Sequence, residues 1–130
     1  MSAIQYCYVI QGQPITKKNS QRIARRGNRA FILPSARYAD YEAAASYYLR
    51  DKPPAPIDCP VTVTCLYFMQ TRRKVDLTNL LEATHDVLVK HGILADDNSQ
   101  IIVSVDGSRV CYDKENPRTE ITITKEECPE

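Results

Sequence analysis

The chain has 130 residues, 43% apolar and 25% charged. These are the proportions of one ordinary folded domain, and they exclude wholesale disorder. No apolar run approaches the ~20 residues of a membrane span, and the first eleven residues lack the pattern of a secretory leader, so a cytoplasmic protein with no membrane partner is expected. Seventeen Lys and Arg against sixteen Asp and Glu leave a net charge of +1, but the charges are unevenly placed.

Ala3 to Gln11 is rich in β-branched and aromatic residues and predicts a strand, ended by Gly12 and Pro14. Thr16 to Ala30 has little apolar periodicity and a Gly27-Asn28 turn signal, which reads as an exposed loop or hairpin. From Lys17 to Arg37 the chain carries Lys17, Lys18, Arg22, Arg25, Arg26, Arg29 and Arg37 and no acid; the first is Asp40. Such a run suits phosphate neutralisation on nucleic acid, and equally suits a solvated basic loop. Phe31 to Leu33 is a short return strand, closed by Pro34. Ser35 can cap a helix over Ala36 to Leu49, where Tyr38, Tyr41, Ala45 and Tyr48 recur at helical spacing and mark a core-facing stripe. Lys52 to Pro56, with three prolines, breaks it.

Val61 to Gln70 alternates and then turns apolar throughout, predicting a central strand covered on both faces near its end. Arg72-Arg73-Lys74 follows, and then a helix from Leu77 to Lys90. On that helix Leu77, Leu80, Leu81, Thr84, Val87 and Leu88 share one arc, while Asp76, Asn79, Glu82, Asp86 and Lys90 share the opposite one. Gly92 supplies a C-terminal stop. After the turn Asp96-Asp97, Ile101 to Val105 predicts a strand, Asp106-Gly107 a hairpin turn and Arg109 to Tyr112 its return. Arg118 to Thr124 alternates as a last strand, leaving Lys125 to Glu130 as a frayed tail. The order describes a single α+β domain: a mixed or largely antiparallel sheet with two main helices packed on it.

The five cysteines, Cys7, Cys59, Cys65, Cys111 and Cys128, form no C-x-x-C pair and read as reduced and structural. His85 and His91 have no cysteine partners at zinc spacing. The chemistry-bearing stretch is Lys74 to Gln100, where carboxylates lie along one helix edge and an acidic turn follows. Two or three of them are enough for magnesium, which prefers oxygen ligands and keeps several waters. The plainer reading makes Asp76 or Thr78 a helix cap, the polar arc a solvated face and Asp96-Asp97 ordinary turn chemistry.

Asp76-Leu77-Thr78-Asn79-Leu80, followed by Asp86, Gly92, Asp96-Asp97 and Gln100-Ile101, resembles the RusA family of small, often prophage-encoded Holliday junction resolvases. Weaker agreement extends to G-Q-P-I-T-K-K-N-S near the start and D-K-E-N-P-R-T-E-I near the end. The resemblance implies a homodimeric, Mg2+-dependent endonuclease that cuts symmetric strands of a four-way DNA junction in recombination and repair. It places the family's first and third aspartates on Asp76 and Asp97 and its asparagine on Asn79. The second aspartate falls on Thr78 and the helix lysine on Glu82, so one carboxylate is lost and another gained.

On that basis Asp76, Glu82 and Asp97 are the expected metal ligands, and Asn79 completes the catalytic set by bracing them or binding water. Lys17, Lys18, Arg22, Arg25, Arg26, Arg29, Arg72, Arg73 and Lys74 are the expected DNA contacts. Two other readings stay open: a decayed site that binds branched DNA without cutting, and a small phage interaction domain whose basic loop meets an acidic protein.

Overall fold

In the computed structural model, residues 4–16, 22–33 and 36–126 are described. Among them, strands β1 (Gln5–Gln11), β2 (Arg22–Arg26) and β3 (Arg29–Leu33) precede helix α1 (Ala36–Tyr48). Strand β4 (Val61–Met69), helix α2 (Leu77–Lys90) and strands β5 (Ile102–Ser104), β6 (Arg109–Tyr112) and β7 (Arg118–Lys125) follow. The main sheet has the order β1-β7-β4-β5, with β6 also pairing β4. Strand β7 is antiparallel to both β1 and β4, while β5 and β6 run parallel to β4. This is the mixed α+β sheet expected.

Strand β4 alternates strictly. Val61, Val63, Cys65, Tyr67 and Met69 are buried, and the residues between them are half-buried. Both helices lie on the buried side: the Tyr67 and Thr84 hydroxyls are 2.7 Å apart, and Tyr41 meets Thr119 of β7 at 3.2 Å. The expectation that β4 is covered on both faces is therefore corrected. Its other face has only local cover, such as the Arg118 guanidinium 3.9 Å from the centre of the Phe68 ring.

A second correction concerns Asp106-Gly107. Because β5 and β6 are both parallel to β4, the chain does not reverse there; the edge strand pauses and resumes in the same direction. Side chains fill the gap in the ladder. Thr64 donates to the Asp106 carbonyl at 2.8 Å, and Ser108 Oγ accepts from the Cys65 amide at 3.0 Å. Gly107, at φ +83°, makes the jog possible. The tail is also better anchored than expected. The amide of Lys125 donates to Ile4 and that of Glu126 to Pro60, while residues 127–130 lie outside the described part.

Helix α2 has the expected bounds and buries Leu80, Leu81, Thr84, Val87 and Leu88. It ends in a Schellman motif: Gly92 sits at φ +77°, its amide bonds Val89, and the Ile93 amide bonds Leu88. The Lys90 ammonium contacts Glu42 at 2.5 Å and a His91 ring nitrogen meets the Glu42 carbonyl at 2.7 Å, fixing α1 against this end.

The basic segment is a separate two-stranded hairpin, β2–β3, turning at Gly27-Asn28. Gly27 carries a positive φ of 62°, as the first turn residue of a type II′ connection requires. Cys7, Cys59, Cys65 and Cys111 are free thiols, and Cys128 lies outside the described residues. Burial pushes the Cys65 thiol up to about 12, leaving it an inert core group. No helix among the described residues is long and apolar enough to cross a membrane.

Candidate metal and DNA site

The corner between β4 and α2 delivers Asp76 to the position before the first helical turn, with extended backbone (φ −86°, ψ 122°). Its carbonyl accepts from the Asn79 and Leu80 amides, but its side chain makes no capping bond. Instead the carboxylate accepts a hydrogen bond from Asn79 Nδ2 at 3.2 Å. The simple capping reading of Asp76 is thereby removed. Its exposed carboxylate is held by the next polar residue on the same helix edge.

Glu82 lies exposed on that edge, one turn further on, and Asp86 is half-buried one turn beyond it. Asp97 arrives from the turn after α2. That turn is braced: the Asp97 amide donates to Asp96 Oδ1 at 2.7 Å, and Asn98 Oδ1 accepts from the Gln100 amide at 2.9 Å. Burial, a hydrogen bond with Asp96 and the negative charge of Asp86 together hold the Asp97 carboxyl above its ordinary pKa. The charge of Asp86, in the second half of α2, thus acts on Asp97. His85 is there too, its pKa lowered by burial while the charges of Asp97 and Asp86 act in the opposite sense. Its Nε2 is buried and has no hydrogen-bond partner among the described residues.

Asp76, Glu82 and Asp97 do not converge as expected. Among the described residues no three His, Cys, Asp or Glu side chains gather closely enough to hold a metal ion. The helix explains why: at 1.5 Å per residue, about 9 Å of rise separates Asp76 from Glu82, and about 15 Å separates it from Asp86. The latter is the acid whose charge acts on Asp97. Asp86 shares the helix arc of Asp76, Asn79 and Glu82 but was not among the expected ligands.

The basic residues fall into separate places. Lys17 and Lys18 lie outside the described residues, and Arg22 belongs to β2. Arg25, Arg26 and Arg29 are exposed around the hairpin turn, with Arg26 directly opposite Arg29. Like charges so paired disfavour the hairpin unless an anion lies between them. In the second run Arg72 stacks on Tyr112, its guanidinium carbon 4.0 Å from the ring centre. Arg73 and Lys74 instead line a cavity of about 380 Å³ that also takes in Arg37, the last residue of the first basic run and not among the expected DNA contacts.

The family model for endodeoxyribonuclease RusA matches residues 11–124. The chain belongs to the RusA family. The crossover junction endodeoxyribonuclease RusA of Aquifex aeolicus (strain VF5) is 33% identical to it over 86 residues. That alignment covers 65% of this chain and 66% of the relative, so the chain spans just under two thirds of the relative's length. Within a RusA fold, Thr78 and Glu82 stand on the exposed surface of α2, where exchanging acid, hydroxyl and base changes the charge of the site without disturbing the core.

Proposed function

We propose that this chain is a magnesium-dependent, structure-specific endodeoxyribonuclease that resolves four-way DNA junctions in the cytoplasm, acting as a homodimer. What supports the reading is the match to the endodeoxyribonuclease RusA family over residues 11–124, together with an acidic helix edge on which Asn79 holds the Asp76 carboxylate and exposed arginines at the β2–β3 turn. The donors fit a hard cation, since magnesium takes one or two carboxylates and completes its shell with water and substrate phosphate. A cation between Asp97 and Asp86 also relieves the repulsion that raises the Asp97 carboxyl.

When bound, such an ion polarises a phosphoryl oxygen and lowers the pKa of water. The chain's own residues do the rest. Asp97 and Asp86 would hold the ion, with Glu82 one turn away. Asp76, oriented by Asn79, accepts a proton or orients water at the other end of the edge. Arg73 and Lys74, three and two residues before Asp76, counter the charge that develops on the phosphate. Arg25, Arg26 and Arg29 neutralise phosphates of a junction arm. Two copies supply the two sites that symmetric cutting needs.

A second reading is favoured by one observation. The family's helix lysine is replaced by Glu82, and no three-ligand group forms among the described residues. A protein so changed binds junctions without cutting them. Incubating the purified protein with a labelled synthetic four-way junction, with and without Mg2+, decides: paired symmetric nicks support the nuclease, and tight binding with intact strands supports the binder.

A further inference from the structure

The cavity at the end of β4 is lined by Gln13, Arg37, Gln70, Thr71, Arg73 and Lys74, and no carboxylate lines it. Arg37 comes from the first turn of α1, Gln13 from the segment after β1, and the rest from the connection into α2. None of the three cationic side chains has an ion-pair partner among the described residues. Gln13 Oε1 is already committed, accepting the Gln70 amide at 2.6 Å, so only its amino group remains to offer. Arg and Lys side chains are donors without acceptors.

The cavity thus presents three positive charges and no carboxylate to offset them. Its wall includes Val75, the residue before Asp76. Concave, one-signed surfaces focus the field on an incoming anion. A volume of about 380 Å³ lies within the ~300–1,000 Å³ of ordinary ligand pockets, room for a phosphate together with its sugar.

We propose that this cavity is a phosphate subsite that seats one backbone phosphodiester of the DNA strand beside the start of the acidic helix edge, with Arg37 as a phosphate contact contributed by α1. The inference rests on the nuclease reading for its substrate, and adds Arg37, Gln13 and Thr71 to the residues that recognise it. Three convergent cations match the several charged oxygens of phosphate better than a lone carboxylate, because each guanidinium can engage two oxygens at once.

The test uses the full chain in two arms, both without Mg2+. Inorganic phosphate is titrated while the backbone amides of Gln70 and Thr71 are followed by NMR. Saturable shifts are expected in wild type and their loss in Arg37→Gln, an exposed change that leaves the core untouched. In the second arm, junction binding is measured against salt, and again with single methylphosphonate linkages moved along one strand. Arg37→Gln should lower the log–log salt slope by about 0.9, and one neutralised linkage should cost wild type several-fold while costing the variant nothing.

Identical shifts and identical junction affinity in the variant overturn the proposal. Shifts with phosphate alone, but no change on DNA, also overturn it, since the site would then serve a free phosphate. If both arms respond and no strand is ever cut, the subsite stands and the nuclease reading falls. If wild type and variant bind and cut alike, the reverse holds.

Discussion

Asn79 Nδ2 donates to the carboxylate of Asp76 across 3.2 Å, a bond that replaces the capping contact Asp76 could have made with its own helix. A side chain kept from the backbone in this way contributes little to helix stability and remains available for chemistry. Asp76→Asn should therefore change the urea midpoint hardly at all, while junction cleavage falls by roughly 100-fold or more. Asn79→Ala, which releases the carboxylate, should cost about tenfold. A variant of Asp76 that unfolds early but retains full specific activity would make the residue a cap after all.

The buried pair Tyr67 and Thr84 joins the central strand to α2, and Thr84 also donates to the Leu80 carbonyl at 3.0 Å. Thr84→Val strands the Tyr67 hydroxyl in the core and should cost ~1–3 kcal/mol of unfolding free energy. Adding Tyr67→Phe should recover part of that loss, because both polar partners are then gone. Fully additive losses in denaturant titrations would show that the two hydroxyls do not share a bond.

Asp97 and His85 give opposite pH signatures. The Asp97 carboxyl is raised in the folded state, so the folded form is penalised once the group ionises, and stability is lost as pH rises through the window above the unfolded value of ~3.9. Asp97→Asn should be more stable than wild type at pH 7, and the advantage should vanish below about pH 4. His85 is depressed by burial, so its contribution is present above the unfolded value near 6.5 and drains away as pH falls below it. His85→Phe should flatten that acid limb. Thermal melts across pH 3 to 8 read both.

Magnesium should raise the melting temperature of wild type by mass action and leave Asp97→Asn and Asp86→Asn nearly unmoved. An equal rise in all three would place the ion elsewhere.

The hairpin carries its own prediction. Arg26 and Arg29 face each other across the turn, so replacing both with Ala should leave the fold unharmed or slightly firmer while weakening binding to every DNA tested. The salt slope should fall by about 0.9 for each phosphate released. An unchanged slope would take the hairpin off the DNA.

Much of this was legible in the chain. Helix α2 could be read to its ends because its leucines and valines repeat at helical spacing and Gly92 stops it; β4 was legible from the run V-T-V-T-C. The direction of Arg109–Tyr112 was not, since an Asp-Gly pair serves a jog in an edge strand as readily as a hairpin, and only pairing with β4 decides between them. At the site, spacing identified the acids but not their grouping. Asp76 and Glu82 read as neighbours along a helical edge, yet the helix acid whose charge acts on Asp97 is Asp86, a tertiary relation that periodicity does not encode. Arg37, though part of the first basic run, stayed outside the expected DNA contacts for the same reason: its place beside Arg73 and Lys74 depends on how α1 docks.

The most direct measurement compares wild type, Asp97→Asn and Asp86→Asn on one labelled four-way junction, with and without Mg2+. The expected result is paired symmetric nicks by wild type only when the metal is present, with both variants still binding the junction and cutting it at least 100-fold more slowly. Full-rate cutting by either variant, or cutting that ignores the metal, would contradict an ion held between those two carboxylates.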